Sequence, residues 1–181
     1  MNLPNLITIG RILLVPVTVW LIISEEFAVA FIACVAAGVS DGVDGYIARR
    51  FNQRTELGAY LDPIADKALL VSIYVSLGLL KFVPAWLVIL VVTRDVLIIG
   101  AVILSWVLGK PIIVAPSMAS KVNTAGQIVL AGVVLGVLGL NIDLHPLLGA
   151  GFIAVAILTF GSGALYMRDW LRHMANGTQD K

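Results

Sequence analysis

The sequence predicts an all-α integral membrane protein, a bundle of six transmembrane helices with both termini in the cytoplasm. Of its 181 residues, 60% are hydrophobic and 13% are charged, and the mean hydropathy is +1.01. This is more apolar surface than a soluble domain of this length can bury, so the bilayer is the expected solvent. No long linker, repeat or low-complexity stretch divides the chain. One membrane domain over residues 1–181 is therefore expected.

Six apolar runs are each long enough to cross a hydrocarbon core about 30 Å thick, which takes about 20 helical residues. Turn-forming and charged stretches separate them, such as Ser24–Glu26 and Lys81–Pro84. Each run predicts one transmembrane helix. In chain order the runs are Leu6–Ile23, Phe27–Ala48, Leu57–Leu80, Ala85–Leu108, Ala119–Leu140 and Leu147–Met167.

Apart from Arg11, Lys67 and Arg94, the basic residues are unevenly distributed between the two sides of the membrane. With both termini inside, the outer side carries Lys81 alone, whereas the inner side carries Arg49, Arg50, Arg54, Lys110, Lys121, Arg168, Arg172 and Lys181. Because cytoplasmic loops are enriched in Lys and Arg, this asymmetry predicts the orientation. The net charge of +1 gives no sign of a nucleic-acid partner.

Five aspartates lie within the predicted spans, where each acid costs about 2.5–3.5 kcal/mol at mid-membrane, so a functional site is the expected explanation. Asp41 and Asp44 are three residues apart, and Asp62 and Asp66 are four apart. Each pair therefore projects from one face of its helix. Four clustered carboxylates repel one another unless protons or cations neutralise them. Oxygen-only ligands favour Mg²⁺ or Mn²⁺ over zinc.

Intramembrane carboxylates also mark ion paths, so a cation transporter is the alternative outside the enzymes. The acids of a transporter are expected along a conduit. Here four acids cluster near one interface, beside Ala48 and Arg49. This clustering favours an enzyme.

The residues around the four aspartates follow a pattern with fixed spacings. The pattern is Asp41-Gly-Val-Asp44-Gly45-Tyr-Ile-Ala48-Arg49, followed by Gly58-Ala-Tyr-Leu-Asp62-Pro-Ile-Ala-Asp66. It resembles the signature of the CDP-alcohol phosphatidyltransferase family without a departure. The likeness extends over most of the chain, from Asn5-Leu-Ile-Thr8-Ile-Gly-Arg11 through Ser120-Lys121-Val-Asn-Thr124-Ala-Gly-Gln127, and only the last helix is nondescript.

The resemblance implies a six-helix membrane fold with a polar cavity open to the cytoplasm. It implies that Asp41, Asp44, Asp62 and Asp66 bind two divalent ions, Mg²⁺ or Mn²⁺, which hold the pyrophosphate of CDP-diacylglycerol. Asp66 would also be the general base that takes the proton of an acceptor hydroxyl. The hydroxyl oxygen would then attack the lipid-linked phosphorus, and CMP would depart.

The resemblance also implies a location and a nucleotide site. A bacterial inner membrane, with the active site facing the cytoplasm, is the expected location, and a homodimer is common in the family. Position by position, Gly45, Ala48 and Arg49 would face the nucleotide. Asn5 and Thr8 of the first helix are further candidates for cytidine contact.

The implied acceptor-binding residues are Arg94 and Lys121. Arg94 lies inside an apolar span and needs an anionic partner. Asp95 is expected to be a poor one, because adjacent helical residues do not face each other. A structural ion pair between Arg94 and an acid on another helix is the alternative. Arg11 is left open as a structural residue or a site residue.

Two segments bear on the acceptor: Thr93-Arg94-Asp95-Val-Leu-Ile-Ile, and Ser120 through Gln127. Both are most similar to CMP-forming cardiolipin synthases, whose acceptor is phosphatidylglycerol. Phosphatidylglycerophosphate synthases, which use glycerol 3-phosphate, are the alternative. They tend to carry Glu where Asp95 stands and a second basic residue where Asn123 stands. A dianionic acceptor favours more cationic groups than a phosphodiester does.

Overall fold

Six α-helices make up the part of the chain that the structure describes. The structure is a computed structural model and describes residues 3–50, 56–108, 118–142 and 145–176, with side chains over 10–40, 65–108, 118–142 and 147–175. No strand occurs in these ranges, so the all-α prediction is confirmed. The helices are α1 (Leu3–Ile23), α2 (Phe27–Arg50), α3 (Glu56–Leu79), α4 (Ala85–Val107), α5 (Met118–Gly139) and α6 (His145–Asn176).

The first five helices begin and end close to the predicted runs, but α6 continues past the predicted end at Met167 to Asn176. Hydropathy marks where apolar residues stop, whereas backbone hydrogen bonding continues until a breaker intervenes, and no Gly or Pro follows Met167 before Asn176. Tertiary contact also holds the extension. Trp170 donates its indole N–H to Ala101 O at 3.1 Å and to Ser105 Oγ at 2.8 Å, both on α4.

Membrane crossing is supported most directly for the second half of the chain. Within the described ranges, three helical stretches are long and apolar enough to span a bilayer. They also expose large apolar side chains such as Trp106 and Phe160, as expected where a helix faces lipid. The three stretches are Ala85–Val107, Met118–Gly139 and Leu147–Ala175.

Three helices end in the same C-terminal motif. Glu25, Lys81 and Asn141 follow α1, α3 and α5 and adopt left-handed backbone conformations, with φ of 60°, 64° and 52°. The residue after each donates its N–H to a carbonyl five positions earlier, as Phe82 N does to Leu77 O at 2.9 Å. This is the Schellman motif, which satisfies carbonyls that a helix end would otherwise leave without partners.

The chain contacts define two compact units. In the first unit, α1 packs against α2 and α3, and Ile22 and Leu77 are buried. In the second, α4 and α6 pack through Trp170, and Leu87 and Val91 are buried. The single domain expected over residues 1–181 stays a prediction. The first unit comprises Met1–Val83 and Ala131–His145, and the second comprises Pro84–Leu130 and Pro146–Lys181.

Within the first unit, the end of α5 lies very close to the beginning of α2. A Cβ built on Gly139 would lie 2.6 Å from Ala28 Cα and 2.7 Å from Ala28 N. One turn earlier, a Cβ on Gly136 would lie 3.4 Å from Phe31 Cε2. Small residues permit such close helix packing in membranes.

We expect Gly139→Ala to lower the free energy of unfolding by about 1–3 kcal/mol, because the added methyl overlaps backbone atoms that cannot rotate aside. Gly132→Ala is the matched control on the same helix, since its Cβ position has no atom within 4 Å. The control should be neutral or stabilising by up to about 1 kcal/mol. Unfolding in detergent micelles measures both. A Gly139→Ala protein as stable as Gly132→Ala would contradict the close approach.

Candidate functional site

The four predicted acidic ligands lie on two helices of the first unit. Asp41 and Asp44 belong to α2, and Asp62 and Asp66 belong to α3. The side chains of the first three lie outside the described residues. Asp66 has a described side chain, and it is 40% exposed.

Arg11 is the described partner of Asp66. This arginine of α1 is 2% exposed, and its Nη1 donates to Asp66 Oδ1. Burying a guanidinium is costly unless an acid pairs with it. The contact therefore links α1 to α3 and also fixes one oxygen of the predicted catalytic carboxylate. Arg11, which the sequence had left open, therefore contacts a predicted site residue.

The residues present fit a hard divalent cation. All four predicted ligands are carboxylates, which matches the oxygen preference of Mg²⁺ and Mn²⁺. Asp66 is not sealed in the core, since 40% of its side chain is exposed while Arg11 holds Oδ1.

The predicted nucleotide contacts have their side chains outside the described residues, so they stay predictions. They belong to two helices of the first unit. Asn5 and Thr8 belong to α1, and Gly45, Ala48 and Arg49 belong to α2.

In the second unit, Arg94 is the centre of a buried polar cluster. It is 4% exposed, and its Nη2 donates to Ser120 Oγ of α5 at 2.6 Å and to Ser162 Oγ of α6 at 2.8 Å. Gly163 leaves space for the arginine stem, because a Cβ there would lie 3.4 Å from Arg94 Cγ. Three helices therefore hold one guanidinium in place.

The expectation that Asp95 is a poor partner for Arg94 is wrong. Arg94 Nη1 donates to Asp95 Oδ1 at 2.7 Å, and the Asp95 residue is 6% exposed. The spacing rule describes where neighbouring Cβ atoms point, but the long arginine side chain folds back far enough to reach the adjacent carboxylate. Among the side chains that the structure describes, the partners of Arg94 on other helices are serines rather than acids.

Lys121, the other predicted acceptor residue, lies on α5 directly after Ser120 and is exposed. A lysine ammonium is a mobile point charge on a flexible stem, suited to attracting a phosphate. Of the two predicted acceptor residues, Arg94 is thus a buried cation held in place, whereas Lys121 is an exposed cation on a flexible stem.

The last helix contributes more than the sequence suggested. Beside Ser162, its Thr159 is completely buried and donates to Asn123 Oδ1 of α5 at 2.8 Å. Gln127 Nε2 of α5 donates in turn to Thr159 Oγ1 at 3.2 Å. The available signal was the spacing of Thr159, Ser162 and Tyr166, which share one face of an otherwise apolar helix.

Comparisons with known proteins agree with the resemblance. A family model described as CDP-alcohol phosphatidyltransferase matches residues 1–161. Cardiolipin synthase (CMP-forming) of Homo sapiens is 39% identical over 145 residues, which cover 71% of this chain and 48% of the human protein. This chain thus spans about half the length of that relative.

Two relatives carry a different name, CDP-diacylglycerol–glycerol-3-phosphate 3-phosphatidyltransferase. The protein of Bacillus subtilis (strain 168) is 33% identical over 149 residues, covering 74% of this chain and 76% of its own. The chloroplastic protein 1 of Oryza sativa subsp. japonica is 34% identical over 152 residues, covering 75% of this chain and 46% of its own.

We expect Arg94→Met to lower the free energy of unfolding by roughly 3–5 kcal/mol, because the buried Asp95 carboxylate loses its guanidinium partner. The double change Arg94→Met with Asp95→Asn removes both charges and should recover most of that loss. Ser162→Ala, which removes one neutral acceptor, should cost only about 1 kcal/mol. Unfolding in detergent compares the three. Equal stability of the single and double variants would contradict the ion pair.

Proposed function

The chain belongs to the CDP-alcohol phosphatidyltransferase family, and we propose that it transfers the phosphatidyl group of CDP-diacylglycerol to phosphatidylglycerol, giving cardiolipin and releasing CMP. The observation that carries this proposal is the family match over residues 1–161, a range that contains the whole acidic signature and both predicted acceptor residues. The human relative bears the name of this activity. The family match favours an enzyme over a cation transporter.

Asp66 acts as the general base in the proposed reaction. It takes the proton of the acceptor hydroxyl, whose oxygen forms a bond to the lipid-linked phosphorus. The bond from that phosphorus to the CMP oxygen breaks, and CMP leaves with the electron pair. A base must be aimed at the proton that it takes, and the Arg11 contact at Oδ1 supports this, because it restricts rotation of the carboxylate.

Asp41, Asp44, Asp62 and Asp66 hold the metals in this proposal. Bound there, two divalent cations supply charge neutralisation for the pyrophosphate, which is most of what phosphoryl transfer requires beyond positioning. Support comes from the oxygen-only chemistry of the set and from the exposure of Asp66. For the nucleotide we propose contacts from Asn5, Thr8, Gly45, Ala48 and Arg49.

Arg94 and Lys121 recognise the acceptor. Phosphatidylglycerol is supported by the neutral Asn123, which stands where phosphatidylglycerophosphate synthases tend to carry a second basic residue, so that Lys121 is the extra cation of this predicted set beside the Arg94–Asp95 pair. A phosphodiester carries one negative charge, and glycerol 3-phosphate carries close to two. The second candidate is nevertheless glycerol 3-phosphate as acceptor, giving phosphatidylglycerophosphate. It is favoured by the Bacillus relative, of which the match covers 76%.

The protein is an integral membrane protein, and in the proposed topology all six helices cross the bilayer with both termini in the cytoplasm. This orientation rests on the excess of Lys and Arg on one side. A bacterial inner membrane with a cytoplasm-facing site is the proposed location, which suits a soluble nucleotide product such as CMP.

We expect Asp41→Asn, Asp44→Asn and Asp62→Asn each to weaken metal binding and nearly abolish turnover, because the remaining acids cannot hold both cations. Metal affinity by calorimetry and CMP release from CDP-diacylglycerol are the measurements. Substantial activity of all three variants at saturating Mg²⁺ would rule out the two-metal assignment.

Asp66→Asn should behave differently, because a base contributes to rate more than to binding. It should retain CDP-diacylglycerol binding at high metal concentration but lose turnover by at least roughly a hundredfold. Asp62→Asn is the matched variant on the same helix and should lose binding together with rate. Both are measured over a metal titration. Recovery of near wild-type turnover by Asp66→Asn as metal rises would make Asp66 a ligand only.

The topology gives a further prediction. Reporter domains fused after Arg50, at Lys110 and at the C-terminus should all be cytoplasmic, and one fused after Lys81 should be external. Protease protection in sealed vesicles measures each. With the fusion after Arg50 cytoplasmic, an external C-terminus would show that an odd number of spans follows Arg50 rather than four.

A further inference from the structure

Beyond Arg94, the second unit contains a buried polar network whose hydrogen bonds the proposed reaction does not use. Asn123, Gln127 and Thr159 are each 0% exposed, although they lie on helices whose surroundings are apolar. Placing uncharged polar side chains in such an environment costs free energy unless each finds a partner. Such groups inside a membrane are candidates for function.

The network and the Arg94 cluster form two neighbouring layers of hydrogen bonds between α5 and α6, and each layer is called a rung below. Ser120 and Asn123 are three residues apart on α5, and Thr159 and Ser162 are three apart on α6. Each pair therefore shares a helix face, with its members about 4.5 Å apart along the axis. One rung joins Asn123 to Thr159, and Arg94 joins the two serines in the other.

The hydrogen bonds of the first rung run in one direction. Gln127 Nε2 donates to Thr159 Oγ1, so the threonine proton is available to Asn123 Oδ1. Chained donors and acceptors polarise one another. The asparagine is thereby held by its oxygen, and its Nδ2 amide remains as the donating end of the chain.

That donating end has no partner among the described residues. Asn123 Nδ2 is a buried atom without a hydrogen bond, and Arg94 Nε on the next rung is another. Both are N–H donors, so what would satisfy them is an acceptor, and an unmade hydrogen bond in this environment is expensive. Two buried donors on adjacent rungs suit a ligand that offers more than one oxygen.

The charge of the two rungs limits what the ligand can be. The Arg94 guanidinium is matched by Asp95 at 2.7 Å, and the other described members are neutral amides and hydroxyls. A neutral donor set desolvates a monoanion at lower cost than a dianion, which would require further cations. A phosphodiester therefore fits better than a phosphomonoester.

We propose that Asn123 is an acceptor-specificity residue, whose Nδ2, fixed by Thr159, donates to the phosphodiester of a lipid acceptor beside Arg94. This inference rests on the proposed function. Asn123 touches the acceptor, and Thr159 is a positioning residue that acts through Asn123.

The test uses the full-length protein in detergent with CDP-diacylglycerol and two acceptors, phosphatidylglycerol and glycerol 3-phosphate. Asn123→Ala and Thr159→Val should each raise the KM for phosphatidylglycerol about tenfold, which corresponds to the loss of one hydrogen bond. The KM for CDP-diacylglycerol should stay unchanged. The preference for phosphatidylglycerol over glycerol 3-phosphate should fall by a similar factor. The double variant should be no worse than Asn123→Ala, because Thr159 acts through that residue.

Ser105→Ala is the matched control, a buried serine of the same unit that bonds Ala101 O and Trp170. It should leave both KM values and the acceptor preference unchanged. Variants that keep the wild-type KM for phosphatidylglycerol, or that raise both KM values equally, would overturn the inference while leaving the proposed function standing. If the wild-type protein releases no CMP with either acceptor, the proposed function itself fails.

Discussion

The absence of water from the bilayer interior is the constraint on which the described structure depends. A polar group there must find its partner within the protein, because no solvent supplies one. The charges of Arg11 and Arg94 meet this requirement in different ways. Arg11 pairs with a partly exposed acid on another helix, Asp66, whereas Arg94 pairs with the adjacent Asp95 and with two serines. Each arginine thus joins neighbouring helices, so residues in or beside the predicted sites also hold the packing.

The two units handle charge differently. In the first, four aspartates outnumber the one described arginine that binds any of them, so the predicted site attracts cations. In the second, the described charges around Arg94 cancel, and hydroxyls and amides complete the donor set. The first arrangement suits a reaction at a charged pyrophosphate, which needs strong neutralisation. The second suits selection among acceptors, where a small mismatch in charge is enough to discriminate.

Hydropathy and spacing predicted most of the fold, because both are local properties. The six helices, the ends of the first five and the turns at Glu25 and Lys81 follow from runs of apolar residues and from the polar residues that interrupt them. The end of α6 did not follow, since an apolar stretch marks hydrocarbon rather than helix. Its extension is held by Trp170, which contacts a helix far away in sequence.

In the candidate site, too, local features could be predicted from the sequence, whereas contacts that depend on packing or side-chain conformation could not. The acidic quartet is a prediction from spacing, because the two members of each pair share a helix face, and it stays a prediction. The Arg94–Asp95 bond could not be predicted, because it depends on how far a flexible side chain folds back. Thr159 and Asn123 meet only when α5 and α6 pack, so neither sequence segment contains their contact. A polar residue in an apolar helix is thus a signal that a partner exists, and only the packing identifies that partner.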